Sequence, residues 1–364
     1  MGKRTVRQTI RGLAAVVAVW ASARVSEAQT WAIQTVDSQS GTGFFSSLAF
    51  SPASGFPAIA YSAPASGNQT AVRLAEWNGS AWTIQSVVTG KGFNGGISLS
   101  YDSSGNPAVS CTMGGLKVAL RTGSTWSVQT VDSQSGGTVS SLVYANGSFW
   151  VAYYTSSALK LGHLVGSSWA TEVVDGSGML YPSLAFAPDG NPSIAYRYTT
   201  PNSLRFAHKI GSSWTVQTVE TGISGGIVGY GVFASLAYDP LTGYPTVAHA
   251  NGPDIRFARW DGSQWVVEMA ASGYSCTYES LAYDSAGIAA VSYAVALDGS
   301  GTKEVHLARR TGCGGSCWVD ELVENTAPRL AQWRTSLAFA PTGLSSVSYG
   351  VTNPQNLKFA QELP

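Results

Sequence analysis

The stretches Trp31-Ala-Ile-Gln-Thr-Val-Asp37 and Trp214-Thr-Val-Gln-Thr-Val-Glu220 share one pattern: a Trp opens an alternating apolar and polar run that ends in an acid. Runs of this kind also begin at Trp82, Trp126, Trp169, Trp265 and Trp318, at spacings of 43 to 53 residues. Working outward, a Ser-Leu pair opens a second run at Leu48, Leu99, Leu142, Leu184, Leu236, Leu281 and Leu337. A third run ends in Val/Ile-Ala/Ser-Tyr, as in Pro57-Ala-Ile-Ala-Tyr61 and Pro192-Ser-Ile-Ala-Tyr196. A fourth reads Leu-Lys/Arg-Phe-Ala, as in Leu204-Arg-Phe-Ala207 and Leu357-Lys-Phe-Ala360. All four have the period-2 pattern of strands and are separated by Gly, Pro, Asn, Asp and Ser.

Four short strands per repeat, seven times over, predict an all-β seven-bladed β-propeller with four-stranded blades. A β-helix has shorter turns, and a β-sandwich carries no such repeat. Naming the strands A (Ser-Leu), B (ending in Tyr), C (Leu-Lys-Phe-Ala) and D (Trp-led), the repeat opens on a D strand at Trp31 and stops after a C strand at Leu357 to Leu363. The strand at Trp31 is therefore expected to join the last blade and close the ring, leaving no unpaired edge.

Composition agrees. Of 364 residues 44% are hydrophobic and 12% charged, with 41 Gly and 12 Trp, which excludes a disordered chain. Basic and acidic residues balance at 21 each, which removes the broad electrostatic case for nucleic acid. Residues 1–28 read as a signal peptide: Lys3, Arg4, Arg7 and Arg11 precede a short apolar stretch from Leu13 to Ala23, and small residues lead to a cleavage site after Ala28. The propeller is then expected over 29–364, secreted, with 16 basic against 20 acidic groups. No apolar run is long enough for a transmembrane segment.

The repeat resembles the seven-bladed propellers of secreted bacterial proteins and, more loosely, the sialidase-type Asp-box propellers. Arg259-Trp-Asp-Gly-Ser-Gln-Trp265 lies in a C–D hairpin, where that family carries Ser-x-Asp-x-Gly-x-Thr-Trp; Asn78-Gly-Ser-Ala-Trp82 is a weaker echo. The resemblance implies a fold that hosts lectins, lyases and hydrolases alike, and it licenses no single activity.

The second residue of strand C is basic in six repeats (Arg73, Lys117, Lys160, Arg205, Arg256, Lys358) and His306 in the other. Six residues after the D-strand Trp stands an acid at Asp37, Asp132, Asp175, Glu220 and Glu324, but Val88 or Ala271 elsewhere. Counting alternation back from the C–D turn places each acid beside the base of its own blade, Asp37 beside Lys358, and leaves Arg73 and Arg256 without a partner.

Function is expected where the repeat fails, on the face shared by the D–A and B–C loops. Arg197, Tyr230, His249, Tyr274, Tyr278, Trp333 and Arg334 gather there from blades four to seven and are the candidate ligand-binding residues. Such a face can stack a sugar ring and hydrogen-bond its hydroxyls. The first three blades contribute mainly small residues, apart from Phe44, Phe45 and Phe93. His163 and His208 share a tolerant repeat position expected to be solvated, which leaves His249 as the histidine whose chemistry matters. No HExxH motif or CxxC pair appears, so no metal or cofactor is assigned. Cys313 and Cys317 are expected to form a disulfide across a C–D hairpin. The reading is a secreted, monomeric binding propeller for a glycan or an extracellular protein. The alternative is an extracellular carbohydrate-active enzyme: a sialidase-like hydrolase drawing on Arg197, Arg329 and Arg334, or a polysaccharide lyase using His249 with a Tyr.

Overall fold

The computed structural model describes residues 31–134, 139–176, 178–224, 233–273, 276–296, 303–311, 318–326, 334–351 and 355–364. The expected leader over 1–28 and the expected Cys313–Cys317 bridge lie outside the described residues. Blade 1 is built from Phe44–Phe50, Pro57–Ala65, Gln69–Trp77 and Trp82–Gly90, hydrogen-bonded in that order. Six further antiparallel sheets repeat the arrangement. In the seventh, Ser336–Phe339, Ser345–Val351 and Asn356–Glu362 are completed by Trp31–Asp37, with Trp31 opposite Glu362 and Thr35 opposite Lys358. The chain is an all-β seven-bladed propeller closed by its first described strand.

The core lies between blades. Strand B is buried along nearly its whole length, because each middle strand is covered by a neighbouring sheet on both faces. D strands are outermost and alternate between exposed and half-buried positions.

The Ser-Leu pair explains how the ring is pinned around its axis. An A strand has a free inner edge whose N–H groups need acceptors. Ser47 Oγ accepts the N–H of Leu99, Ser98 that of Leu142, Ser141 that of Leu184 and Ser183 that of Leu236. Ser235 accepts from Leu281 and Ser280 from Leu337, and Ser336 closes the circle on Leu48 at 2.9 Å. Every blade thus holds the next by a side chain that the repeat never varies.

The charged pairs connect blades rather than strands of one blade, which corrects the reading from alternation. Asp37 accepts from Arg73 at 3.0 Å and Glu220 from Arg256 at 3.1 Å, so the two arginines that lacked a partner have one. Lys160 meets Asp132, Arg205 meets Asp175, and Lys358 meets Glu324 rather than Asp37. The cause is a β-bulge. Leu204 pairs with Glu220 but Arg205 with Thr218, so Val219 is an extra residue in strand D. One inserted residue reverses the side-chain alternation and turns the acid toward the next blade. The same shift precedes the strand-C base in the other blades. There the acid also takes the hydroxyl of a fully buried tyrosine: Tyr61 on Asp37, Tyr153 on Asp132, Tyr196 on Asp175 and Tyr349 on Glu324. A buried phenol with no acceptor would cost a few kcal/mol. Where the acid is Val88, the tyrosine is Cys111, a buried free thiol pushed up to about 12 by its burial.

The turns behave as sequence chemistry dictates. Asp102 Oδ1 accepts the N–H groups of Ser104 and Asn106, an Asx-turn within an A–B connection. Asp261 and Asn78 make matching C–D turns, each taking two backbone N–H groups and a serine hydroxyl.

Candidate functional site

The D–A loops deliver the chain to the mouth of the axial shaft. Two residues before each ring serine the seven blades present Phe45, Gly96, Val139, Tyr181, Phe233, Tyr278 and Arg334. Tyr181 and Phe45 sit at bulges in their A strands with φ of 55° and 56°, a left-handed backbone that costs roughly 1–3 kcal/mol for such residues. Tyr181 packs on Phe233 with centroids 4.3 Å apart and planes tilted by 40°, and the Arg334 guanidinium lies 5.3 Å from the Phe233 ring. Burial raises the Tyr181 phenol, and the nearby Arg197 charge opposes the rise. Arg197 gives Nη2 to Asn202 at 3.1 Å, while its Nε is buried with no hydrogen-bond partner among the described residues.

One layer deeper the ring reads Ser46, Ile97, Ser140, Pro182, Ala234, Glu279 and Thr335, around a cavity of about 70 Å³. Glu279 is the only acid of that layer and is 2% exposed. Neither of its carboxylate oxygens has a hydrogen bond of ordinary geometry among the described residues, although the N–H groups of Glu279 itself and Ala250 act on it. Burial pushes the carboxyl up to about 8, against the lowering effect of its own N–H, the Arg334 charge and the Ala250 N–H. The shaft therefore holds a neutral carboxylic acid next to a cation, a pair of donors that suits an anionic group.

Of the sequence-expected residues, Arg197 and Arg334 stand at this mouth. His249 does not reach the surface. It is fully buried between blades 4 and 5, with Nε2 2.6 Å from Glu220. Glu220, raised by burial, is lowered further by His249, Arg256 and Asn251, so its carboxylate stays ionised. The backbone of Tyr278 is in strand A of blade 6; its side chain, and Tyr230, Tyr274 and Trp333, lie outside the described residues. Glu279 and Tyr181 are additions that sequence reading missed. An acid at a position otherwise held by uncharged residues was visible in the aligned repeats. On the same face Phe44, Phe45 and Phe93 line a hollow of about 380 Å³ over blades 1 and 2, so the first blades are not bare. Among the described residues no three His, Cys, Asp or Glu gather as metal ligands, and no helix is long and apolar enough to cross a membrane.

No protein-family model matches the chain, and no curated protein matches it. Solved structures do. A fungal alcohol oxidase of the AA5 family, in complex with copper, is 11% identical with a TM-score of 0.63, covering 93% of this chain and 76% of its own. A PL25 ulvan lyase bound to a glucuronate-rhamnose-sulfate saccharide is 14% identical with a TM-score of 0.60, covering 90% and 95%. A leech intramolecular trans-sialidase is 12% identical with a TM-score of 0.46, covering 90% and 68%. The likeness is one of fold. It agrees with the propeller read from the repeat.

Proposed function

We propose that the protein is an exported carbohydrate-binding propeller that takes an acidic saccharide on its D–A/B–C loop face, at the mouth of the shaft. The observation that carries this reading is Glu279, a buried carboxyl with no side-chain hydrogen bond among the described residues, lining the same cavity as Arg334. Arg334 and Arg197 would hold a carboxylate or sulfate, and the tilted Tyr181–Phe233 pair offers an aromatic face for a sugar ring. Tyr230, Tyr274, Tyr278 and Trp333, singled out from the sequence, complete the proposed ligand set. Export follows from the leader over 1–28: expression in a bacterial host should yield a protein beginning at Gln29 outside the cytoplasm.

A second reading rests on the same carboxyl. An acid that keeps its proton to about pH 8 is suited to donate it to a leaving group, as a hydrolase or lyase requires. Chromatography of an acidic polysaccharide after incubation separates the two readings: shortened products that vanish with Glu279→Gln favour the enzyme.

Calorimetric titration with glucuronate oligosaccharides tests binding. Arg334→Ala should lose at least about tenfold in affinity with little change in Tm; equal affinity in wild type and variant would refute the placement. Stability adds an independent test. Unfolded Glu releases its proton near 4.5, while folded Glu279 keeps it to about 8. This group's contribution is therefore full below 4.5 and falls as pH rises toward 8. Glu279→Gln should flatten that decline, shifting Tm at pH 8 relative to pH 5 by about 3 °C or more against wild type.

A further inference from the structure

The opposite face, formed by the A–B and C–D turns, carries a larger hollow. Between blades 4 and 5 a groove of about 470 Å³ is lined by Phe206, Tyr238, Tyr244 and Trp260, with Asp189 and His208 among its polar groups. Its size falls in the range of small-molecule sites, roughly 300–1,000 Å³. Phe206 and His208 come from strand C of blade 4 (Asn202–Ile210), Trp260 from strand C of blade 5 (Asp254–Trp260), and Tyr244 from a long A–B turn.

The polar groups are fixed from behind. Tyr238 Oη is 2.6 Å from Ser193 Oγ, which is 2.8 Å from His208 Nδ1, and His208 Nε2 is 3.3 Å from Asp189. Ser193 is fully buried, and its hydroxyl lies between the Tyr238 hydroxyl and His208 Nδ1, so it fixes both rings at the groove wall. Hydrogen bonds from Asn191 in the first place, then the His208 contact, hold the Asp189 carboxyl below its usual range. Its side chain remains 50% exposed, with acceptor capacity toward the groove. The position expected to be solvated and tolerant is thus a working part of a wall.

Charge selects the occupant. Among the described residues no Lys or Arg lines the groove and Asp189 is its one carboxylate, so an anion is repelled. A fixed ionised carboxylate accepts neighbouring hydroxyls, and aromatic faces pack on the C–H face of a pyranose ring. We infer that this groove is a second ligand site, for a neutral pyranose residue of an uncharged glycan. It is independent of the acidic-saccharide reading, in position and in chemistry.

The test is titration of the full chain with the methyl glycosides of glucose, galactose, mannose and fucose, followed by tryptophan fluorescence and saturation-transfer NMR. Glucuronic acid serves as the anionic control. At least one methyl glycoside should bind with Kd below about 10 mM, and glucuronic acid at least about tenfold more weakly. Trp260→Ala and Asp189→Asn should each weaken glycoside binding at least about tenfold, and Arg334→Ala should leave it unchanged. Tyr244→Phe, which keeps the ring and removes one hydroxyl, guards against a folding artefact and should weaken binding less than Trp260→Ala. The inference is overturned if no glycoside binds, if glucuronic acid binds equally well, or if binding survives Trp260→Ala. Sensitivity to Arg334→Ala alone would assign the glycoside to the shaft, and a peptide that occupies Trp260 where glycosides do not would assign the groove to proteins; either overturns it.

Discussion

Blades 4 and 5 meet on the same frame as blades 7 and 1. Phe206 lies edge-on to Trp265 at 5.3 Å, and Phe359 to Trp82 at 5.4 Å. Trp265 donates to Gln217 at 3.0 Å and Trp82 to Gln34 at 2.9 Å. Trp260 stands 5.7 Å from Trp265, and Trp77 stands 5.5 Å from Trp82. Gly243, at φ 70°, passes Pro188 as Gly55, at φ 71°, passes Pro341. On this shared frame the polar positions differ. Asp189, His208 and Tyr244 are replaced at the second interface by Thr342, Gln361 and Phe56, and the Ser193–His208 contact by Gln361 donating to Ser346 at 3.1 Å. At the loop end the contrast repeats: Asp37 holds Tyr61 and Arg73, whereas Glu220 holds His249, Asn251 and Arg256. Aromatic rings, glycines and glutamines set the geometry, and the residues they leave free to vary decide whether an interface is mortar or a site.

The largest expected effect tests whether the 7–1 interface is the ring's closure. Removing Trp31–Asp37 strips the last blade of its outer strand and exposes an edge; Tm should fall by more than about 10 °C. An unchanged Tm would break the distinction. Next, Asp37→Ala leaves a buried phenol and Arg73 without their acceptor and should cost about 3 kcal/mol in urea unfolding. Glu220→Ala should cost somewhat less, about 2 kcal/mol: buried His249 loses its partner as Tyr61 does, but Arg256 is 36% exposed and also lies 3.6 Å from Asp254. Equal losses would show the two loop-end clusters to be interchangeable. Grafting Thr342→Asp, Gln361→His and Phe56→Tyr should give the 7–1 frame methyl glycoside binding within about tenfold of the native groove. Failure of the graft would mean that the frame, and not only its polar edge, differs. The smallest effect concerns turns. Gly262 has φ 101° beneath Tyr244 and Gly79 has φ 98° beneath Phe56. Ala at either should cost about 1 kcal/mol, but only Gly262→Ala, whose methyl would meet the Tyr244 hydroxyl at 3.0 Å, should also weaken glycoside binding.

Strand identity, blade number and ring closure were legible in the sequence because period-2 alternation and a fixed repeat survive in every blade. The partner of each acid was not. It depends on one bulged residue, such as Val219, that alternation counting cannot see and that reverses every assignment beyond it. His249 was read as a ligand contact because it breaks the tyrosine pattern, yet it breaks that pattern inside the interface. Arg197 and Arg334 were singled out because they interrupt a repeat on a loop face, and both stand near the shaft mouth. The groove was invisible for another reason: Asp189 and Trp260 come from neighbouring blades and meet only through the conformation of an intervening turn.

The acid, tyrosine and base that join two blades lie close together in the chain. Asp37 is 24 residues from Tyr61 and 36 from Arg73, and Glu220 is 29 from His249 and 36 from Arg256. Each cluster belongs to one D-A-B-C segment even though it bridges two sheets. A nascent chain can therefore dock each blade onto the one before it using residues already synthesised, at low loop-closure cost. Only the final seam is remote: Ser336 reaches Leu48 across 288 residues and Ser348 reaches Ser46 across 302. Until that long-range seam forms, an incomplete ring leaves its last edge open to other chains.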